Sequence, residues 1–290
     1  MSAGGSAVSA EALSQSQRAA LLSLLGDEDP LVYRTVRDKI LSCGPPAAEW
    51  LRPYTMSNDP ALRRRAQQIV LHFDRQAADD QFLAFCLRHG EEFDLEQATW
   101  LLAQTQYPLI NVEAYQAVLD AYANELRSRV DPSADPKLIL AAINRYLFGE
   151  RGFTGNDQDY YDPENSYLNR VMDRRTGNPI NLCLIYILLA RRLRLPVAGI
   201  GLPGHCICRY QSTAAEIYFD PFNRGRFLTK ADCVQYLANA NCSRRDEYLA
   251  PLSSRRFLLR ICSNLHQVYQ RQEQAVEAMR LQRYLVALAR

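Results

Sequence analysis

The stretch from Asn181 to Arg194 constrains this chain more than any other, because nine consecutive residues within it, Leu182 to Ala190, are apolar. The run falls far short of the roughly 20 residues that span a bilayer. A helix here is therefore expected inside protein, buried all round. Pro179 opens it, Arg191 and Arg192 bound the apolar run, and Pro196 ends it. Beyond that proline, Val197 to Leu202, Cys206 to Tyr210 and Glu216 to Phe219 read as strands separated by turns. A buried helix followed by consecutive strands implies an α+β layer.

The first part of the chain has a different character. Residues 1 to 10 are small and polar, as in a disordered tail. From 11 to about 130 the apolar spacing is helical. Asp29-Pro30 and Asp59-Pro60 each open a helix, with Asp as N-cap and Pro in the first turn. Two helix pairs with a recurring start suggest a short HEAT-like array, and an irregular bundle fits the same pattern. Asp131-Pro132 and Asp135-Pro136 look like a boundary. After it come a helix over Leu138 to Phe148, a loop from Gly149 to Asn165 and a short helix to Arg174. The expected domains are 11–130, 131–250 and a helix pair over 251–290.

Composition narrows the partners. Hydrophobic residues make up 48% and charged residues 23% of 290, as in ordinary globular proteins. A net charge of +2 gives no electrostatic case for nucleic acid. The arginine clusters, Arg191-Arg192 and Arg255-Arg256 among them, read mostly as solvated helix faces. Without a positive n-region or an apolar h-region the N-terminus shows no secretory signal, so the cytoplasm is the expected compartment. The eight cysteines are then expected as free thiols, most of them buried.

His205 follows Leu202-Pro203-Gly204 and enters a strand; Asp220 ends the next. A His and an Asp on adjacent antiparallel strands can face each other, and the carboxylate can then fix the imidazole tautomer. Singly, such residues are commonplace: a strand His is usually structural, and Asp-Pro before Asn and Gly is a turn. Jointly, after a helix whose N-terminus lowers a thiol's pKa, they follow the chain order of a papain-type site.

The segments Tyr146 to Asn156, Tyr161 to Asn169, Arg174-Arg175-Thr176-Gly177-Asn178-Pro179-Ile180, Gly201-Leu202-Pro203-Gly204-His205 and Phe219-Asp220-Pro221-Phe222 carry a resemblance. The chain resembles the bacterial SirB-type family of transglutaminase-like proteins over roughly 140 to 228. Its last helices resemble that family's tetratricopeptide-like tail. The resemblance implies a transglutaminase-like, papain-type core, with His205 and Asp220 as catalytic candidates. It also places the family's helix-start cysteine near Pro179, which has no nucleophilic atom. Cys183 lies one turn on, about 6 Å along the helix, and is the substitute nucleophile to test. Asn156, Tyr161, Asn165 and Asn181 are the candidate substrate-binding residues, on a polar loop expected to cover the cleft and at the helix start. No cofactor and no metal are expected, since Cys206 and Cys208 lack a second ligand pair. Three functions stay open: a non-catalytic member with a protein or peptide partner, a cysteine hydrolase or acyltransferase using Cys183, His205 and Asp220, or a hydrolase in which His205 activates water.

Overall fold

The computed structural model describes residues 13–131, 133–242 and 245–290, without the side chains of 245 and 246; the tail expected over 1–10, Pro132 and Ser243 lie outside the described residues. The chain divides into two compact units, Met1–Asp79 and Asp80–Arg290.

In the first unit α1 (Gln15–Leu25), α2 (Pro30–Ser42), α3 (Pro46–Leu51) and the front of α4 (Pro60–Arg88) enclose a small core. The two Asp-Pro starts are where the sequence put them. Asp29 Oδ1 accepts from Leu31 N–H at 2.8 Å, and Asp59 Oδ1 from Ala61 N–H at 2.8 Å. Each carboxylate thus satisfies an N–H that the first turn leaves without an intrahelical acceptor. Leu25, Ile40, Leu51, Ala66 and Ile69 fill the interior. Arg65 Nη1 donates to the carbonyls of Leu25 and Asp27, closing the C-terminal end of α1.

The second unit continues with α5 (Leu95–Gln106), α6 (Val112–Arg127), α7 (Pro136–Asn144), β1 (Thr154–Gly155), α8 (Leu168–Arg174), β2 (Thr176–Gly177) and α9 (Pro179–Arg192). Next are β3 (Val197–Leu202), β4 (His205–Gln211), β5 (Glu216–Asp220) and β6 (Arg226–Leu228), then α10 (Lys230–Asn239), α11 (Arg245–Tyr248), α12 (Ser254–Arg271) and α13 (Ala275–Leu288). Helix α7 runs on into a π-turn at Arg145–Glu150, whose wider winding carries Tyr146, Leu147 and Phe148 inward together. The strands β3-β4-β5-β6 form an antiparallel sheet in chain order, and β1 pairs with β2 in parallel. The three expected strands are present; β6 is an addition.

Every residue of α9 from Pro179 to Ala190 is buried. Each fully buried Leu or Ile side chain contributes about 1.5–3 kcal/mol, so this one helix organises the unit. The sheet covers one side of it through Cys206, Cys208 and Phe219. Helices α6, α8 and α12 cover the rest. The sheet's other face packs Ile200, Ile207 and Tyr218 against Cys233 and Leu237 of α10.

The division expected near residue 130 does not separate two cores: Leu101 and Leu119 before it share one with Leu140, Leu184 and Leu188 after it. A four-stranded sheet covers only one side of a helix that is apolar all round, so helices from both sides of 130 complete the wrapping. Two of the arginine pairs also differ from solvated faces. Arg255 is buried and donates to the carbonyls of Cys86, His89, Ala287 and Leu288, meeting groups at the ends of α4 and α13. Arg192 pairs with Glu96 at 2.7 Å and Asp120 at 2.6 Å.

Candidate functional site

Strand register brings the two candidates together. Cys208 stands opposite Phe219, so residue 220 falls opposite 207, and His205 lies two residues further along the same face. That is the diagonal relation across which long side chains meet. His205 Nε2 and Asp220 Oδ2 share a hydrogen bond of 2.8 Å. Asp220 is buried and His205 partly so.

The carboxylate is well held. Asn223 Nδ2 donates to Oδ2 at 2.8 Å, and the Phe222 and Asn223 N–H groups donate to Oδ1 at 3.0 and 3.3 Å. Burial alone would raise the Asp220 pKa, but the hydrogen bond and charge of His205, with those from Asn223, hold it below the usual carboxylate range. An ionised carboxylate only accepts. Nε2 therefore carries the imidazole proton, and in the neutral ring Nδ1 keeps its lone pair. The turn after Asp220 is fixed by Gly225, whose φ is +74° and whose Cβ, if it had one, would lie 2.2 Å from Asn144. Asn144 Nδ2 donates to the Gly225 carbonyl at 2.7 Å.

The imidazole is positioned from several sides. Residues 203 and 204 form the turn between Leu202 and His205, which pair across β3 and β4. Tyr236 of α10 donates to the Pro203 carbonyl at 2.9 Å, and Arg260 Nη2 of α12 donates to those of Leu202 and His205 at 2.7 and 2.8 Å. Phe222 meets the imidazole edge-on, with centroids 6.0 Å apart. Behind that ring, a Cβ on Gly155 would lie 2.6 Å from Phe222, so only glycine leaves room there.

His205 lines a cavity of about 360 Å³ together with Asn178, Pro179 and Ile180 at the front of α9. The start of α9 and the imidazole of the dyad thus border the same cavity. Pro179, where the nucleophile would stand, offers neither a reactive atom nor an N–H. Cys183 is wholly buried and does not line this cavity. It packs by Cys206 and Cys208 behind the sheet, and burial pushes its thiol pKa well up. As a nucleophile it is in the wrong layer, because one turn further along α9 points into the core.

Of the four substrate-binding candidates, only Tyr161 lines the cavity. The three asparagines are frame. Asn156 Nδ2 donates to Asn165 Oδ1 at 3.0 Å, and Asn165 Nδ2 donates to the Asp159 carbonyl at 2.8 Å, fastening the loop. The Asn165 carbonyl accepts from Asn178 N–H at 3.3 Å, tying that loop to the start of α9. Asn181 is buried, with its N–H and Nδ2 both donating to Asn178 Oδ1. Polar residues in a loop gave no means of telling those that hold the loop from those that face a ligand. Tyr160 of the same polar loop also lines the cavity; sequence reasoning missed the α12 residues Arg260, Ser263, Asn264 and Gln267 on its wall. Their spacing along one helix face was legible, but a polar stripe on an amphipathic helix reads first as its solvent side. Among the described residues, no three His, Cys, Asp or Glu side chains are placed to hold a metal ion.

The strand His and the neighbouring-strand Asp are hydrogen-bonded to each other, and the His shares its cavity with the start of a buried helix. The chain belongs to the transglutaminase-like superfamily, whose family model matches residues 113–263, just over half of it. A UPF0162 protein of Xylella fastidiosa (strain Temecula1) is 39% identical over 185 residues, covering 62% of this chain and 66% of that one. The chain thus spans just under two thirds of that relative's length. A UPF0162 protein of Pseudomonas aeruginosa is 28% identical over 187 residues, 63% of this chain and 67% of that one. F-box only protein 21 of Mus musculus is 37% identical over 107 residues, 34% of this chain but 17% of that protein. No solved structure shows a significant match.

Proposed function

We propose that this chain is a SirB-type transglutaminase-like protein that has lost the nucleophile and serves as a binding module for a protein or peptide partner. The carrying observation is Pro179, which lines the cavity with His205 while the nearest alternative thiol on α9, Cys183, is sealed in the core. A transferase or hydrolase of the cysteine class needs a thiolate within reach of its base, and this cavity wall offers none. Cys206 also borders the cavity, but its thiol is buried against Cys183, and that contact and burial raise its pKa well above the usual value. HEAT-like helices before the core and tetratricopeptide-like helices after it would add partner surface. All eight cysteines are free thiols, which supports a reducing compartment such as the cytoplasm.

Alkylation by iodoacetamide from about pH 5 to about pH 9, mapped by peptide mass spectrometry, tests this reading. Cys183 is expected to stay unlabelled throughout in the folded protein. Rapid labelling of Cys183 below about pH 7, abolished in His205→Ala, would instead identify a cysteine hydrolase or acyltransferase.

One observation favours a second reading. The dyad is complete, with Nδ1 of His205 making no hydrogen bond to any described residue, so His205 could deprotonate a water in the cavity. Ester or amide hydrolysis that survives Cys183→Ala and disappears in His205→Ala would select this reading; the binding reading expects no turnover.

A further inference from the structure

The cavity has a second wall that the dyad does not use. On α12, Arg260, Ser263, Asn264 and Gln267 stand at positions i, i+3, i+4 and i+7, one face of the helix, and all four line the cavity. The side chains of Ser263, Asn264 and Gln267 hydrogen-bond to no described residue. Arg260 uses Nη2 on the carbonyls of Leu202 and His205, and no described carboxylate pairs with it. No Asp or Glu lines the cavity at all.

The facing wall is the start of α9. The Asn178 side chain and carbonyl occupy the N–H groups of Asn181 and Leu182, and Pro179 has none. The Ile180 N–H is left without an acceptor among the described residues. It sits at the positive end of a 14-residue helix. An arginine with no described carboxylate partner, three polar side chains without a described hydrogen bond and the first turn of α9 therefore border one cavity. Tyr160, Tyr161 and Val268 add apolar wall.

We infer that this cavity binds the carboxylate of an organic acid or of a peptide's C-terminal residue, with the charge set against Arg260 and the Ile180 N–H and the ligand's apolar body set against the two tyrosines. One guanidinium matches one carboxylate in charge and geometry, whereas a dianionic phosphate would lack a second cation here. A volume of about 360 Å³ admits one or two residues of a chain end. The inference rests on reading the chain as a binder and names what it would bind.

The test uses the full-length, ¹⁵N-labelled protein and three probes: a pool of N-acetylated tripeptides with free carboxylates, the same pool C-terminally amidated, and benzoate. The free-acid pool is expected to shift the Ile180 amide and the Asn264 side-chain resonances saturably, with the amidated pool at least about tenfold weaker. Benzoate saturating as tightly as the acid pool would assign the site to small acids; a clear preference for the pool would assign it to chain ends. Arg260→Gln should weaken the acid pool about tenfold. Because Arg260 also holds the β3–β4 turn, Asn264→Ala, which removes no hydrogen bond to a described residue, serves as the second variant and should weaken binding several-fold. Equal affinity for acid and amide, no saturable shift, or binding indifferent to both variants would overturn the inference. Mass spectra of the same samples separate the two readings. Cleaved peptides would sink the binding-only function and leave the carboxylate site standing; intact peptides without shifts would sink the site alone.

Discussion

Asp220 is the residue on which the site's electrostatics turn. Its carboxyl is held below the ordinary carboxylate range by His205 and Asn223 despite burial, so the folded protein binds that proton later than the unfolded chain does. Its contribution to stability is fully present above the unfolded pKa, near 4, and is lost as pH falls through the lower folded value. Asp220→Asn should therefore flatten the acid limb of the stability profile. Urea unfolding at a series of pH values between about 3 and 7 would show the wild type losing stability more steeply than the variant below about pH 4. Parallel profiles would mean that the carboxylate is not held as the hydrogen bonds indicate. The same residues show where sequence reasoning stops. The His205–Asp220 pairing was legible because strand alternation and chain order jointly restrict it. Burial of Asn156, Asn165 and Asn181 was not, because an asparagine that ties a loop and one that greets a ligand look alike in one dimension.

At the scale of elements, the start of α9 depends on Asn178. Its Oδ1 caps Asn181 N–H at 3.0 Å, and its Nδ2 reaches Ser166 Oγ at 2.8 Å. Asn178→Ala would strip both from a buried site. The expected cost is about 1–2 kcal/mol, with hydrogen-exchange protection lost first at residues 180 to 182 and in the loop that Asn165 ties to them. Unchanged protection there would show that Pro179 alone sets the helix start. Helix α9 and strands β3 to β5 were legible because an uninterrupted apolar run and alternating strands leave few alternatives. Strand β6 was not, since three residues after a turn carry too little pattern. The cavity-facing role of α12 was hidden for a different reason: amphipathicity says which face is polar and not what that face looks upon.

Across the described residues, those up to Asp79 have their own core, and the largest core from Asp80 on is built around α9. The boundary read near residue 130 followed turn-forming Asp-Pro pairs, yet the wrapping of one fully apolar helix recruits partners regardless of such punctuation. What the fold then delivers is a His–Asp pair whose imidazole shares a cavity with the proline that opens α9. A cysteine placed at that proline tests this directly. In Pro179→Cys the new thiol would stand at a helix N-terminus, in the cavity that His205 lines, and both lower a thiol's pKa. At about pH 6 it should be alkylated by iodoacetamide at least roughly tenfold faster than the half-buried Cys43, and the advantage should shrink several-fold when His205→Ala is added, leaving only the part due to the helix start. A thiol at 179 that reacts no faster than Cys43, with or without His205, would contradict the proposed juxtaposition.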